Sequence, residues 1–344
     1  MLLSFSYYFI VLFLSASMIV FIIIENAKFS RNGNYTPSVT IIIPVRGLDP
    51  GWEKNAESFR SLTYPSKVDV TYVVDSDDLG TRDALESAGL KVIVSRKHGE
   101  ACSGKISAQL TGLEESASEA VVFADSDIIV EKDWLLKLVS PLDSFDAVTT
   151  FSWPVPLRRT FINYIRAGFW ILGYDAHTSA LGFLWGGSMA FRRETLDSKF
   201  IDYMSDKIYD DVNMTRYLKD NGKKIGFSGN AICLNTYDGE KIYGWASRQE
   251  MLVTRFSPHV AIAFFLFILG MIGTATYGVL IGNYYFLSVM FLWWLKGVVT
   301  SARIKHFSVL IPAVSILSSV FAFIILITTI GNKTAIWRDH SYKI

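Results

Sequence analysis

Two aspartates one residue apart, Asp125 and Asp127, close an apolar run, Ala120-Val121-Val122-Phe123-Ala124. A short buried strand that empties into paired carboxylates fixes hard oxygen ligands at one edge, and such ligands suit Mg²⁺ or Mn²⁺. Mg²⁺ keeps waters and completes its shell with substrate phosphates, so the pair points to a metal–diphosphate site of the kind that binds a nucleotide sugar. Taken alone, Asp-x-Asp is equally at home on a surface turn. Asp75, in Asp75-Ser76-Asp77-Asp78, ends a second apolar run. A carboxylate there either accepts hydrogen bonds from a base or ribose or caps a solvated turn. Lys105 is either a phosphate partner or an ordinary surface lysine. In Trp185-Gly186-Gly187-Ser188 the glycines permit close backbone approach to a ligand, or only a turn. Asp210 and Asp211 open a helical stretch that runs to about Leu218. The helix dipole is sufficient reason for acids at that position; a general base facing a metal-bound diphosphate is the other.

These groups need a scaffold, and the chain supplies an alternating one. Residues 39–44, a β-branched run stopped by Pro44 and Gly47, read as a buried strand. Helix over 52–62, strand over 68–74, helix over 79–88 and strand over 91–95 follow. A loop rich in Gly and basic residues spans 96–104, then a helix over 106–115 leads to the strand into Asp125. Strands alternating with helices predict an α/β domain with a parallel, doubly wound sheet, which gathers Asp75, Lys105, Asp125 and Asp127 at one edge. No Gly-x-Gly-x-x-Gly follows the first strand and no P-loop is present, which argues against dinucleotide and Walker-type binding.

Composition places this domain on a membrane. Hydrophobic residues make up 51% of the chain, with a mean hydropathy of +0.30, and residues 1–24, 260–295 and 307–330 carry no charge. A bilayer core of ~30 Å needs about 20 apolar helical residues. The first and last stretches each fit one span, and the middle one fits two joined at Gly282-Asn283, one N-terminal and three C-terminal in all. The first apolar region is longer than a secretory signal core and no Lys or Arg precedes it, so it reads as an uncleaved anchor. Lys28 and Arg31 after it, and Arg248 and Arg255 before the next span, predict a cytoplasmic central domain. Lys296, Arg303, Lys305 and His306 mark a further cytoplasmic loop. The tail conflicts: alternation puts it outside, while Lys333, Arg338 and Lys343 prefer inside. The expected organisation is therefore an anchor at 1–24, a cytoplasmic catalytic domain at 37–256, a membrane region at 260–330 and a tail at 331–344. Cys102 and Cys233 are too few for a disulfide framework or a zinc site. A net charge of +1 gives no reason to expect nucleic acid.

The stretch from Trp153 to Trp185 mixes Phe161, Tyr164, Phe169, Trp170 and Tyr174 with Arg158, Arg159 and Arg166. It reads either as an interfacial helix that delivers a lipid acceptor or as helices buried within the domain. His177 within it reads as a polar structural residue.

The order of motifs resembles that of the membrane-anchored glycosyltransferases of families 2 and 21, the ceramide-glucosyltransferase-like members above all. It is carried by Pro44-Val45-Arg46-Gly47-Leu48-Asp49-Pro50, Leu62-Thr63-Tyr64-Pro65, Asp75-Ser76-Asp77-Asp78 and Gly104-Lys105-Ile106-Ser107. Asp125-Ser126-Asp127, Asp210-Asp211 and Ile336-Trp337-Arg338-Asp339-His340-Ser341-Tyr342 complete it. The resemblance implies a glycosyltransferase A (GT-A) fold and an inverting displacement that needs one base and no separate nucleophile. By position it makes Asp75 a nucleotide contact, Asp125 and Asp127 the metal and diphosphate site, and Asp211 the base. It further implies donor contacts from Lys105 and Arg248, with Trp185, Gly187, Asp210, Gln249, Trp337 and Arg338 in support. One departure stands out. The family's Arg/Gln-x-x-Arg-Trp reads here as Arg248-Gln249-Glu250-Met251-Leu252, unless Arg255-Phe256 takes its place after a shift. The lost Trp argues against a processive polysaccharide synthase. The reading is transfer of one sugar, from UDP-glucose or a relative, with Mn²⁺ or Mg²⁺, to a ceramide-like lipid hydroxyl at the bilayer. Transfer to a polyprenyl phosphate and a non-catalytic membrane scaffold are the alternatives.

Overall fold

The structure, a computed structural model, describes residues 2–29, 33–178, 182–237, 242–303, 308–331, 334–337 and 340–343. The strands are β1 (Val39–Val45), β2 (Val68–Val74), β3 (Val92–Val94), β4 (Ala120–Ala124), β5 (Ile128–Val130), β6 (Ala147–Thr149), β7 (Ser152–Pro156), β8 (Ser188–Arg192), β9 (Ile225–Phe227), β10 (Cys233–Tyr237), β11 (Thr334–Trp337) and β12 (His340–Lys343). The helices are α1 (Leu2–Phe29), α2 (Trp52–Arg60), α3 (Leu79–Ser87), α4 (Gly104–Glu114), α5 (Trp134–Val139), α6 (Phe161–Thr178), α7 (Ser198–Met204), α8 (Asp210–Asp220), α9 (Ile242–Phe256), α10 (Pro258–Leu280), α11 (Ser288–Arg303) and α12 (Leu310–Thr329). Contacts divide the chain into two units that interleave in sequence. Residues 27–153 and 180–236 form one; 1–26, 154–179 and 237–344 form the other.

The first unit is built on a seven-stranded sheet in the order β3-β2-β1-β4-β8-β6-β9. β1 runs parallel to β2 from Val39↔Val68 to Val45↔Val74, and parallel to β4 from Val39↔Ala120 to Ile42↔Phe123. The strand therefore continues past Pro44, which falls beyond the last β4 rung, where its missing N–H interrupts no pairing on that side. The sheet is not wholly parallel as expected: β8 is antiparallel to both β4 and β6. A parallel β8 would need a crossover back to the opposite edge; instead the chain enters β8 directly from Trp185-Gly186-Gly187, at the edge where β4 ends.

Both faces are covered, which is why the central strands read as unbroken apolar runs. Ile41, Ile43, Val122 and Ala124 point to one face, with Ala56 and Phe59 of α2, Leu85 of α3 and Trp134 of α5. Ile42, Val121 and Phe123 point to the other, with Ile106, Leu110 and Leu113 of α4, Phe200 of α7 and Met214 of α8. The alternation follows the period of two in an extended chain.

Among the described residues, four helical segments are long and apolar enough to cross a membrane: Ser6–Lys28, Pro258–Leu280, Tyr284–Arg303 and Leu310–Thr329, all but the last two residues of the first lying in the second unit. The four expected spans are thus present, and Gly282 makes the turn between the middle two with φ 67°, a conformation that favours glycine. α6 lies along α12. The Ser318 hydroxyl donates to the Ile165 carbonyl at 2.9 Å, and a Cβ on Gly168 would clash with that hydroxyl oxygen. Small residues on both helices allow the backbones to come this close. At the N-terminal end of α6, Leu157, Phe161 and Ile162 are exposed, as an interfacial segment requires. His177 is buried.

One charged group inside this unit gave no signal in the sequence. Glu25 of α1 is 1% exposed. Its carboxylate accepts from the Thr300 hydroxyl at 2.7 Å and the Tyr174 hydroxyl at 3.3 Å, with Lys296 Nζ at 3.5 Å and Arg303 Nη1 at 3.6 Å. Lys296, which in sequence marked a loop, lies within α11 and is buried beside this carboxylate. Together these residues tie α1, α6 and α11. Glu25→Ala removes the carboxylate beside the buried Lys296 ammonium, a change that costs about 3–5 kcal/mol. A marked fall in melting temperature in detergent is the expected result; an unchanged melt would show that the cluster is dispensable.

Candidate active site

Parallel β1, β2 and β4 end at one edge, and the residues that follow them are Arg46, Asp75 and Asp125. Because β8 runs the other way, its entry loop reaches the same edge, where the Gly187 carbonyl accepts from the Asp125 N–H at 3.1 Å. The loops before α4 and α8 are stitched together. Gly99 N–H donates to the Ser205 carbonyl and Ser103 N–H to the Lys207 carbonyl, both at 3.0 Å. Ser103 caps α4 by accepting from Ile106 N–H. The first turns of α4 and α8, carrying Lys105 and Asp210-Asp211, are thereby held as a pair.

Lys105 bridges two elements. Its Nζ lies 2.7 Å from Asp125 Oδ1 and 2.9 Å from Asp210 Oδ2. Burial alone would lower the ammonium, but the two carboxylates raise it well above the usual lysine value. Gln109, one turn along α4, donates to the same Asp210 oxygen at 3.0 Å. Burial alone would raise Asp210; Lys105 and Gln109 hold it below the usual carboxylate range.

Asp211 behaves in the opposite way. Burial first, and the charge of Asp210 second, push its carboxyl up to about 7. It accepts from the Gly186 N–H at 3.2 Å and the Val212 N–H at 2.8 Å. A Cβ on Gly186 would lie 3.3–3.4 Å from oxygens of Asp211 and Asp210, so glycine here lets the loop lie against the acidic pair. The two acids that opened α8 symmetrically in sequence are electrostatically distinct in the fold.

Asp127 supplies the test of a metal. Its Oδ1 is buried without a hydrogen-bond partner, while Asn235 of β10 hydrogen-bonds the carboxylate. β10 comes within reach by pairing antiparallel with β5, the strand that follows Asp127. Burial, then the Asp125 charge, push Asp127 up to about 7. An orphaned carboxylate oxygen beside a second carboxylate fits a hard divalent cation. Among the described residues no group of three or more His, Cys, Asp or Glu could cage an ion. Asp125 and Asp127 therefore fit a site completed by water and substrate phosphate, which is how Mg²⁺ sites are commonly built.

Asp75 is in contact with the Arg46 guanidinium, which also reaches Asp77 at 3.2 Å. A Cβ on Gly104 would lie 3.3 Å from Asp75 Oδ2. Asp78 has a structural role: it caps α3 at Thr81 and accepts from Gly47 N–H at 2.7 Å. The Trp185 indole N–H donates to Ser152 Oγ at 3.1 Å, and its ring packs on Phe151. Gly187 sits between Trp185 and Asp125. Arg248 and Gln249 lie on α9, in the other unit. Trp337 is in β11, paired with β12; its side chain, and the whole of Arg338, lie outside the described residues. Sequence reasoning missed Arg46, Gln109 and Asn235 as site residues. The four-residue spacing of Lys105 and Gln109, which puts both on one helix face, was a usable signal for Gln109.

A protein-family model, glycosyl transferase family 21, matches residues 8–344. No curated protein matches the chain. Among solved structures, the chain is similar to the mannosyltransferase PcManGT from Pyrobaculum calidifontis, in complex with GDP-Man and Mn²⁺. Identity is 18%, coverage 95% of this chain and 99% of that one, and the TM-score 0.53. A crystal structure of a mycobacterial protein matches at 19% identity, over 68% of this chain and 77% of that one, with a TM-score of 0.38. The first likeness is one of fold, and the fold is the expected GT-A arrangement.

Proposed function

The chain belongs to glycosyl transferase family 21, and from that premise we propose that it transfers one sugar, with inversion, from a UDP-sugar to the hydroxyl of a ceramide-like membrane lipid. It is a glycosyltransferase and a membrane protein; the donor, the acceptor and the roles of single residues are our reading. Glucose is the sugar that the motif resemblance supports. Basic residues flanking the spans, Lys28 and Arg255 among them, support a catalytic unit facing the cytoplasm.

The observation that carries the mechanism is the split within the acidic pair. Asp210 is spent on Lys105 and Gln109. Asp211, at about 7, is poised to take a proton near neutrality. As the acceptor oxygen bonds to the anomeric carbon, its proton passes to Asp211, and the bond to the diphosphate breaks with its electrons leaving on the nucleotide. Asp125 and Asp127 would hold Mg²⁺ or Mn²⁺, which supplies positive charge to the departing diphosphate. Lys105 is placed to share that charge, Asp75 to meet the nucleoside, and Gly186 and Gly187 to let substrate approach backbone.

Because Asp211 that already holds a proton cannot take the acceptor's, kcat should fall about tenfold per unit as pH drops below about 7 and level off above it. A flat pH–rate profile through that range would remove Asp211 as the base. The function itself is tested by turnover in nanodiscs with Mn²⁺ or Mg²⁺, a panel of nucleotide sugars and a total lipid extract, read by mass spectrometry. A new glycolipid supports the reading and names both substrates. Nucleotide release with no glycolipid would overturn the acceptor, and inertness to every donor would overturn the function.

A further inference from the structure

Lys105 occupies an unusual position for a residue expected simply to greet a phosphate. Its ammonium already bridges Asp125, where a metal would bind, and Asp210, which neighbours Asp211. Both carboxylates lie within hydrogen-bonding distance, and the lysine side chain is only 22% exposed. On the Asp210 side the contact is reinforced, since Gln109 from the same helix grips the same oxygen. On the Asp125 side the ammonium competes directly with any cation drawn to that carboxylate.

We propose that Lys105 is a resident counter-ion that holds this acidic site against a bare divalent ion and yields Asp125 only when a nucleoside diphosphate arrives with the metal. The inference rests on the donor-site reading above. A divalent ion on Asp125 brings two like charges together and breaks the 2.7 Å Lys105–Asp125 pair. Without a diphosphate, the displaced ammonium keeps only Asp210. With one, it gains a multiply charged acceptor in place of the carboxylate it gives up. Metal and nucleotide therefore bind with positive coupling, and reciprocity requires that each tighten the other by the same factor. The anchor at Asp210 and Gln109 limits the change to one end of the side chain, so α4 and α8 stay where they are while the charge is handed over.

The test is Mn²⁺ binding to the full chain in detergent, followed by electron paramagnetic resonance of the unbound ion, alone and with UDP or GDP. For the unmodified protein, one of the two diphosphates should tighten Mn²⁺ by about tenfold or more. Lys105→Met should bind Mn²⁺ alone about tenfold more tightly than the unmodified protein and lose most of that enhancement. Lys105→Arg, which keeps the charge, should retain weak binding of the bare ion, and guards against a variant that merely misfolds. If the unmodified protein shows the enhancement and Lys105→Met binds bare Mn²⁺ no more tightly, the counter-ion role is wrong and the donor site stands. Tightening in Lys105→Arg equal to that in Lys105→Met overturns the role as well. If neither diphosphate lets the unmodified protein bind Mn²⁺, the donor-site reading falls and takes this inference with it.

Discussion

Asp211→Asn should leave donor affinity close to that of the unmodified protein and lower kcat by about 10²-fold or more, the usual scale for a lost general base. The substitution keeps the shape of the side chain and one oxygen that can accept from Gly186 N–H, giving up the contact to Val212 N–H. Asp210→Asn is the informative companion. Asp210 carries the Lys105 and Gln109 contacts, so its loss should disturb donor binding as well as turnover. Single-turnover kinetics beside calorimetric donor binding separate the two. If Asp211→Asn turns over normally, the base lies elsewhere.

The second large effect belongs to Asp127. Asp127→Ala should abolish the metal-dependent part of donor binding, because it removes the orphaned oxygen that the metal would satisfy. Calorimetry with and without Mn²⁺ reads this directly, and equal donor affinity in the two conditions for the unmodified protein would remove the metal assignment. Misfolding is not the expected cause of the loss. The folded carboxyl is raised from 3.8 to about 7, so its ionisation is harder in the folded than in the unfolded chain. It therefore subtracts stability progressively as pH rises from about 4 to about 7 and by a constant amount above that. At pH 8 the alanine variant escapes this penalty and leaves a small cavity; the two oppose, and its melting temperature should stay near that of the unmodified protein.

The parts of this site legible in sequence are those whose position follows from one strand. Asp75 and Asp125 each end an apolar run, and parallel pairing with β1 between them puts both at one edge. Membrane segments were legible for a similar reason, since length and lack of charge are local properties. The direction of β8 was not, because Trp185-Gly186-Gly187-Ser188 reads the same whether the next strand is parallel or antiparallel. The difference between Asp210 and Asp211 was also hidden: it is imposed by Lys105 and Gln109, about a hundred residues earlier in the chain. Asn235 and the Glu25–Lys296 pair likewise depend on contacts between distant segments, and neither has a local pattern to betray it.

The interleaving of the two units constrains how this protein can be taken apart. At residues 154–179 the chain departs from the unit that carries the candidate site and then returns to it, and in between α6 rests on α12 across Gly168 and Ser318. A fragment trimmed at both ends to 37–256 would still carry α6, stripped of the helix it was shaped against, and would present that bare face to water. Separating the two units calls for excision from the middle of the chain as well as shortening of the ends. Exchanging anchors between such enzymes by end-to-end fusion has no clean seam to follow here.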